Sequence, residues 1–232
     1  MNFGLAFSYV FEDTDWVKKV LIAAVLLIIP IIGWLIVAGW MIEITRRVIR
    51  NVTPFLPEWN DFGKFIVDGL LITVISMIYS IPSIILNVII QPISMFMQSN
   101  TQDGSGESNA IIIGLTIVLI CLGCVVFIYS LIMSIGLPAA YANFAVKGSF
   151  GAAFNFGEVI GLIRAAPGAY LITFLGSIVA SFIGALGLIA CFIGVLATMA
   201  YATVVQAHLW GQAYNEALRS MNAPEAPLAP IA

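Results

Sequence analysis

The sequence predicts an all-α fold: a polytopic transmembrane bundle of helical hairpins. It should have about four full spans, a short N-terminal re-entrant hairpin or single span, and amphipathic helices at the membrane interface. Three observations predict this. Hydrophobic residues make up 61% of the 232 residues and charged residues only 9%, whereas soluble domains carry about a quarter charged residues. Mean hydropathy is +1.07. Finally, Ile66–Ile90, Ala110–Ala140 and Gly168–Leu209 are almost free of charge, and each is at least as long as the roughly 20 residues a span needs. A bilayer core offers no water to backbone N–H and C=O groups, so such runs must be helical. They do not alternate apolar and polar residues, which excludes a barrel.

The elements follow in chain order. Asn2-Phe3-Gly4 opens a stripe of Phe3, Ala6, Phe7, Val10 and Phe11 at helical spacing. Asp61-Phe62-Gly63 and Asn155-Phe156-Gly157 open similar stripes. One apolar face and one charged face predict interfacial helices, with Phe3, Phe62 and Phe156 as candidate anchors. The first apolar run, Val20 to Ile42, makes about 35 Å of helix, enough for a single span. A single span would leave Lys18 and Lys19 outside the cell, against the positive-inside rule. The favoured alternative is a short hairpin broken at the candidate helix break Pro30–Gly33. Gly168–Leu209 makes about 63 Å of helix, hence two spans turning near Gly184–Gly187.

Charge sets the topology. The connection Gln91–Asn109 has no Lys or Arg and reads as the outer loop, flexible over 98–109 by its Ser, Gly and Asn content. With that loop outside, all 9 basic residues fall inside and both termini are cytoplasmic. Residues 1–221 then form one integral membrane domain with pseudo-repeats starting near 2, 61 and 155. Residues 222–232 form a disordered Pro/Ala tail.

The stretches DTDWVKKVLI (13–22), IPIIGWLI (29–36), ITRRVIRN (44–51), PFLPEWNDFGKFIVDGL (54–70), FNFGEVIGLIRAAPGAYL (154–171) and AHLWGQAY (207–214) run through nearly the whole chain. Together they resemble DUF4013, a family of prokaryotic integral membrane proteins of unknown function. The resemblance implies a multi-pass protein of the cell membrane in a bacterium or archaeon. It implies no activity.

Chemistry is sparse. The chain has one His and no paired carboxylates at bilayer depth, so no catalytic residues are assigned and an enzyme is not expected. Cys121, Cys124 and Cys191 lie in apolar runs without further ligands, so neither metal nor cofactor is expected. Net charge is −3, which argues against a nucleic-acid partner. The expected partners are the lipid bilayer, other membrane subunits or a second copy. Polar residues near or within spans are the candidates for a permeation path: Asn87, Gln91, Asn143, Gln206 and His208. Each also has a plain structural reading, as a group bonded to freed backbone or satisfied at the interface. His208 and Gln212 share a face, and Glu43 and Arg47 are spaced for an ion pair. Gly176-x-x-x-Ala180-x-x-x-Gly184 is a close-packing run, facing either a partner or this same chain. The leading functional expectation is an accessory or structural membrane subunit or assembly partner. The alternative is a passive channel, small-molecule permeation or lipid-handling protein.

Overall fold

The computed structural model describes residues 1–101 and 110–222. They form eight α-helices and three 3₁₀ turns, with no strand among the described residues: α1 (Phe3–Ser8), α2 (Trp16–Leu26), α3 (Ile32–Arg50), α4 (Phe62–Thr101), α5 (Ala110–Lys147), α6 (Phe156–Ala165), α7 (Pro167–Leu186) and α8 (Cys191–Asn222). The fold is all-α. Three helices are long and apolar enough to cross a membrane, Phe62–Ser99, Ile112–Lys147 and Pro167–Ile189, and mark a membrane protein by length and composition. The chain separates into two compact units. One holds Met1–Val74 and the chain from Ile135 onward; the other is Ile75–Ser134.

The first unit is built around α8. Its small and branched residues Ala200, Val204, Val205, Ala207 and Ala213 are fully buried. They receive α7 on one side and α3, α2 and α1 on others. The run Gly176, Ala180 and Gly184 is buried inside the chain. A side chain at Gly176 would strike Leu209 and Phe3, and one at Gly184 would meet Ala202 and Met199. That run therefore gives no surface for a partner.

The first apolar run is a hairpin, not a single span. Ile31 has φ 65° and ψ −70°, and Ile32 N–H donates to Pro30 O at 2.8 Å. This is a γ-turn of the rare positive-φ kind, at a β-branched residue that seldom accepts it. Trp34 Nε1 donates back across the turn to Leu27 O. Lys19 and Trp40 would stand about 31 Å apart on a continuous helix. Here both touch Trp59, whose Nε1 donates to Lys19 O at 3.1 Å and whose ring stacks on Trp40 at 4.6 Å. A chain reversal is the arrangement that allows this. The amide groups of Ile32 and Gly33 are spent on Pro30 O and Ile29 O, so these first N–H groups of α3 leave no open anion site.

The contact of α3 with α4 is set by two glycines. A Cβ on Gly39 would lie 1.8 Å from Phe65 O, and one on Gly69 would lie 1.8 Å from Leu35 O. Each helix thus presses a carbonyl into the space of the other's missing side chain, as small residues permit in membrane helix pairs.

The three Asn/Asp-Phe-Gly signatures share a local role. Asn2 Oδ1 accepts from Leu5 N at 3.1 Å, Asp61 Oδ1 from Lys64 N at 3.1 Å, and Asn155 Oδ1 from Glu158 N at 3.4 Å. Each is an N-cap, satisfying one of the orphan donors of its helix. The Phe is then the first helical residue, exposed by 41% at Phe3, 42% at Phe62 and 57% at Phe156.

The second unit is a helical pair with little interior. Tyr129 Oη donates to Tyr79 O. Met77, Ile84, Val88, Phe127 and Ile132 are exposed. Helix α4 continues to Thr101 through Pro82 and Pro92. The connection read as beginning at Gln91 is thus helical as far as Thr101. Ser94 Oγ and Ser99 Oγ donate to Gln91 O and Phe96 O of the same helix. The remainder of the expected outer loop, 102–109, and the expected disordered tail from 223 to 232 lie outside the described residues.

Candidate functional site

The polar residues singled out in the sequence do not act alike. In the second unit, Asn87 is exposed and its Nδ2 donates to Ser83 O, one turn back on its own helix; Gln91 is exposed. In the first unit, Asn143 is buried, and its Nδ2 donates to Ala152 O at 2.8 Å and to Glu158 Oε2 at 2.9 Å. It joins α5 to the start of α6. Gln206 is half-buried beside an apolar groove between α7 and α8. His208 faces a different cavity. Asn143, Gln206 and His208 therefore do not converge on one polar groove.

Three ionic nodes organise the first unit. Lys19, 2% exposed, donates to Asp13 Oδ2 at 2.8 Å and Leu56 O at 3.2 Å, and pairs with Glu58 Oε1 at 2.7 Å. Burial alone would lower the Lys19 ammonium; the hydrogen bonds and charges of Asp13 and Glu58 outweigh it and hold its pKa above the ordinary value. In the second node, buried Arg46 donates Nε to Ala145 O at 2.8 Å, Nη2 to Asp68 at 3.2 Å and Nη1 to Glu43. Lys64 reaches the same Glu43 at 2.7 Å. Burial works to raise the Glu43 carboxyl, but Lys64 and Arg46 together bring it below the usual range. The expected partner Arg47 stands farther off, at 3.8 Å. In the third node, Lys147 and Asn143 both donate to Glu158 and hold its carboxyl below the ordinary value. No group of three or more metal-binding side chains occurs among the described residues.

A further polar site is a cavity of about 340 Å³ lined from α1, the end of α3, the following loop and the last turns of α8. Asn2, Asn51, Phe55, His208, Gln212, Asn215, Glu216 and Arg219 line it. His208 is 1% exposed. Its ring stacks on Tyr9 at 4.1 Å and meets the edge of Phe55 at 5.4 Å. Gln212 Oε1 accepts the backbone N–H of Asn2 at 2.8 Å, so its Nε2 must be the atom 2.9 Å from His208 Nδ1. An amide nitrogen is a donor only, so Nδ1 accepts and the neutral ring carries its proton on Nε2. That Nε2–H is buried and unpartnered. Glu216 Oε2 accepts from the backbone nitrogen of Met1 at 3.0 Å and stands 3.7 Å from Arg219.

The sequence pairs His208 with Gln212 correctly. It misses Asn51 and Asn215, whose signals are weak: an Asn just past a helix end, the usual place for a left-handed cap, and an Asn one turn beyond Gly211. Asn51 does have φ 55° and ψ 36°.

Neither the curated proteins nor the solved structures include a match to this chain. The family described as "Protein of unknown function (DUF4013)" matches residues 22–205, from the first hairpin into α8. That range takes in the Lys19-contacting loop, the Arg46 and Glu158 nodes and most of the packed helices, and the chain belongs to the DUF4013 family.

Proposed function

We propose that this protein is a non-catalytic accessory or assembly component of a prokaryotic cell membrane. In this reading it packs its long apolar helices against those of a partner subunit and keeps both termini in the cytoplasm. The observation that carries the reading is α5. It has 38 residues, Lys147 is its only charge, and its contour is about 57 Å. A hydrocarbon core is about 30 Å thick, and tilts run to about 40°, which uses only about 39 Å of helix. Whichever stretch of about 26 residues crosses, the middle of α5 lies inside the bilayer, and there Val125, Phe127, Ile128 and Ile132 are exposed. Helices of a partner in the same membrane are surfaces chemically matched to cover it.

The test is extraction into native nanodiscs and measurement of particle mass with identification of the proteins present. A particle holding a stoichiometric membrane partner beside the 25.0 kDa chain supports the reading. A single copy alone in each disc refutes it, and a particle made only of further copies replaces the partner by self-association. A second reading, lipid handling, is favoured by the groove of about 410 Å³ between α7 and α8, lined by Gly184, Leu188, Val195, Met199, Thr203 and Gln206. Lipid transfer between vesicles by the isolated chain would support it.

A further inference from the structure

The cavity at His208 has an inventory of hydrogen-bonding atoms that selects a class of ligand. Several groups are already committed by backbone partners whose roles are unambiguous. Asn2 Oδ1 accepts from Leu5 N, which turns its Nδ2 the other way as a free donor. Asn215 Nδ2 donates to Val48 O at 3.1 Å, which leaves its Oδ1 as a free acceptor. Gln212 is spent on Asn2 N and His208 Nδ1. His208 lines the cavity and its Nε2–H is a buried donor without a partner; Tyr9 and Phe55 pack on the ring, so a ligand group reaches Nε2 as Phe55 shifts aside. Asn51 adds an exposed carboxamide that both donates and accepts.

Donors and acceptors are therefore interleaved around one small space. A bare anion offers acceptors only and would face the Asn215 carbonyl and the Glu216 carboxylate. A cation would face Arg219 and the donors of Asn2 and His208. A hydroxyl group donates and accepts at once, and the apolar walls of Leu5 and Phe55 suit the C–H faces between hydroxyls. The volume, about 340 Å³, is at the small end of ligand sites, which run from about 300 Å³. We propose that this cavity binds a neutral polyhydroxylated group, a polyol or sugar, held by Asn2, Asn51, His208 and Asn215. This site is separate from the packing surface of α5 and does not depend on the accessory reading.

The chain has a single His, so histidine-selective ¹⁵N labelling gives one imidazole to follow. The full chain in phosphatidylcholine nanodiscs is titrated with glucose, with myo-inositol and with inorganic phosphate. In a separate arm it is placed in nanodiscs containing a glucosyl or inositol lipid. A saturable Nε2 shift with free glucose or inositol supports the proposal with a soluble source, and a shift only in the glycolipid or inositol-lipid discs supports it with a lipid source. No saturable shift with any hydroxylated probe, or a shift with phosphate alone, overturns it. Asn51→Gly separates binding from folding, because glycine accepts the left-handed conformation Asn51 holds while losing the carboxamide. Binding should weaken about tenfold, the worth of one hydrogen bond of about 1.4 kcal/mol, with the melting temperature retained. Unchanged affinity in Asn51→Gly overturns the assignment to this cavity.

Discussion

Replacing Gly39 by Ala should be among the most damaging single-methyl additions in this protein. The new carbon would lie 1.8 Å from Phe65 O, 2.6 Å from its carbonyl carbon and 2.7 Å from its Cα, all backbone atoms of α4 that no rotamer change can clear. A carbon and an oxygen at contact stand about 3.3 Å apart, so α3 and α4 must separate by about 1.5 Å. A gap of 0.5–1 Å already forfeits roughly a quarter to a half of the dispersion attraction between facing atoms. Overpacking of this kind costs about 1–3 kcal/mol and sometimes more; with only backbone to yield, about 3 kcal/mol is expected. For a chain of this size that lowers the melting temperature by roughly 6–12 °C. The same change at Gly136, where an added Cβ meets nothing within 4 Å, should be neutral or stabilise by up to about 1 kcal/mol. Gly69→Ala should match Gly39→Ala, because Leu35 O sits 1.8 Å from its new carbon. The double variant should cost less than the sum, since one separation relieves both clashes. Thermal melting in detergent measures all four. Equal melting of Gly39→Ala and Gly136→Ala would refute the close crossing, and strict additivity would refute the shared cause.

Three further outcomes follow from the ionic nodes and the hairpin. Lys19→Met should destabilise by about 3–5 kcal/mol, because it leaves Asp13, 8% exposed, without its cation, while Lys19→Met with Asp13→Asn should recover most of the loss; denaturant melting that shows no recovery would mean the pair is not the cause. The Glu43 carboxyl titrates below its ordinary value in the fold, so its contribution is present above about pH 4.3, the unfolded value, and is lost as pH falls through the folded one. Glu43→Gln should flatten the acid limb of a stability–pH curve in that window, and an unchanged limb would remove Glu43 from it. Spin labels at residues 18 and 38 should lie well short of the about 30 Å of a continuous helix; a separation near that value would refute the reversal.

The parts of the fold legible in the sequence were those written as periodicity and charge. The spans follow from long apolar runs, and the turn after α7 from glycines at 184 and 187. The hairpin at Pro30–Gly33 was legible only as a choice between two geometries, because nothing local states that Trp59 will hold Lys19 and Trp40 together. The α3–α4 crossing was not legible. Gly39 and Gly69 are single small residues on different helices, and only three-dimensional proximity makes them a pair. The regular run Gly176, Ala180, Gly184 was conspicuous for its spacing, yet it serves packing against α8 and Phe3. Arg46 was hidden in the same way: its neighbour Arg47 has the helical spacing to Glu43, but Arg46 has the partners on α4 and α5.

The stretches that carried the family resemblance now have a physical account. Asp13 and Lys19 of the first meet Leu56 O and Glu58 of LPEWNDFG, whose Trp59 stacks on Trp40 and whose Asp61 caps α4. Arg46 of ITRRVIRN gathers Glu43, Asp68 and Ala145 O. Asn155 and Glu158 of FNFGEVI cap α6 and receive Asn143 and Lys147. Each of these side chains caps its own helix or is committed to another part of the chain, and together they explain why the helices assemble as they do; Tyr170 Oη, at the end of FNFGEVIGLIRAAPGAYL, is buried without a partner. AHLWGQAY differs. Its Trp210 packs on Tyr141, but its His208 keeps a buried donor without a partner beside a cavity rimmed by carboxamides. A buried unpaired N–H costs about 1–3 kcal/mol, a cost the fold could remove with an apolar residue of similar size. His208→Phe is therefore expected to raise the melting temperature of the isolated chain while abolishing any saturable response to hydroxylated probes, read by tryptophan fluorescence in place of the lost imidazole signal. A variant that melts lower and still binds would show that His208 serves the fold alone.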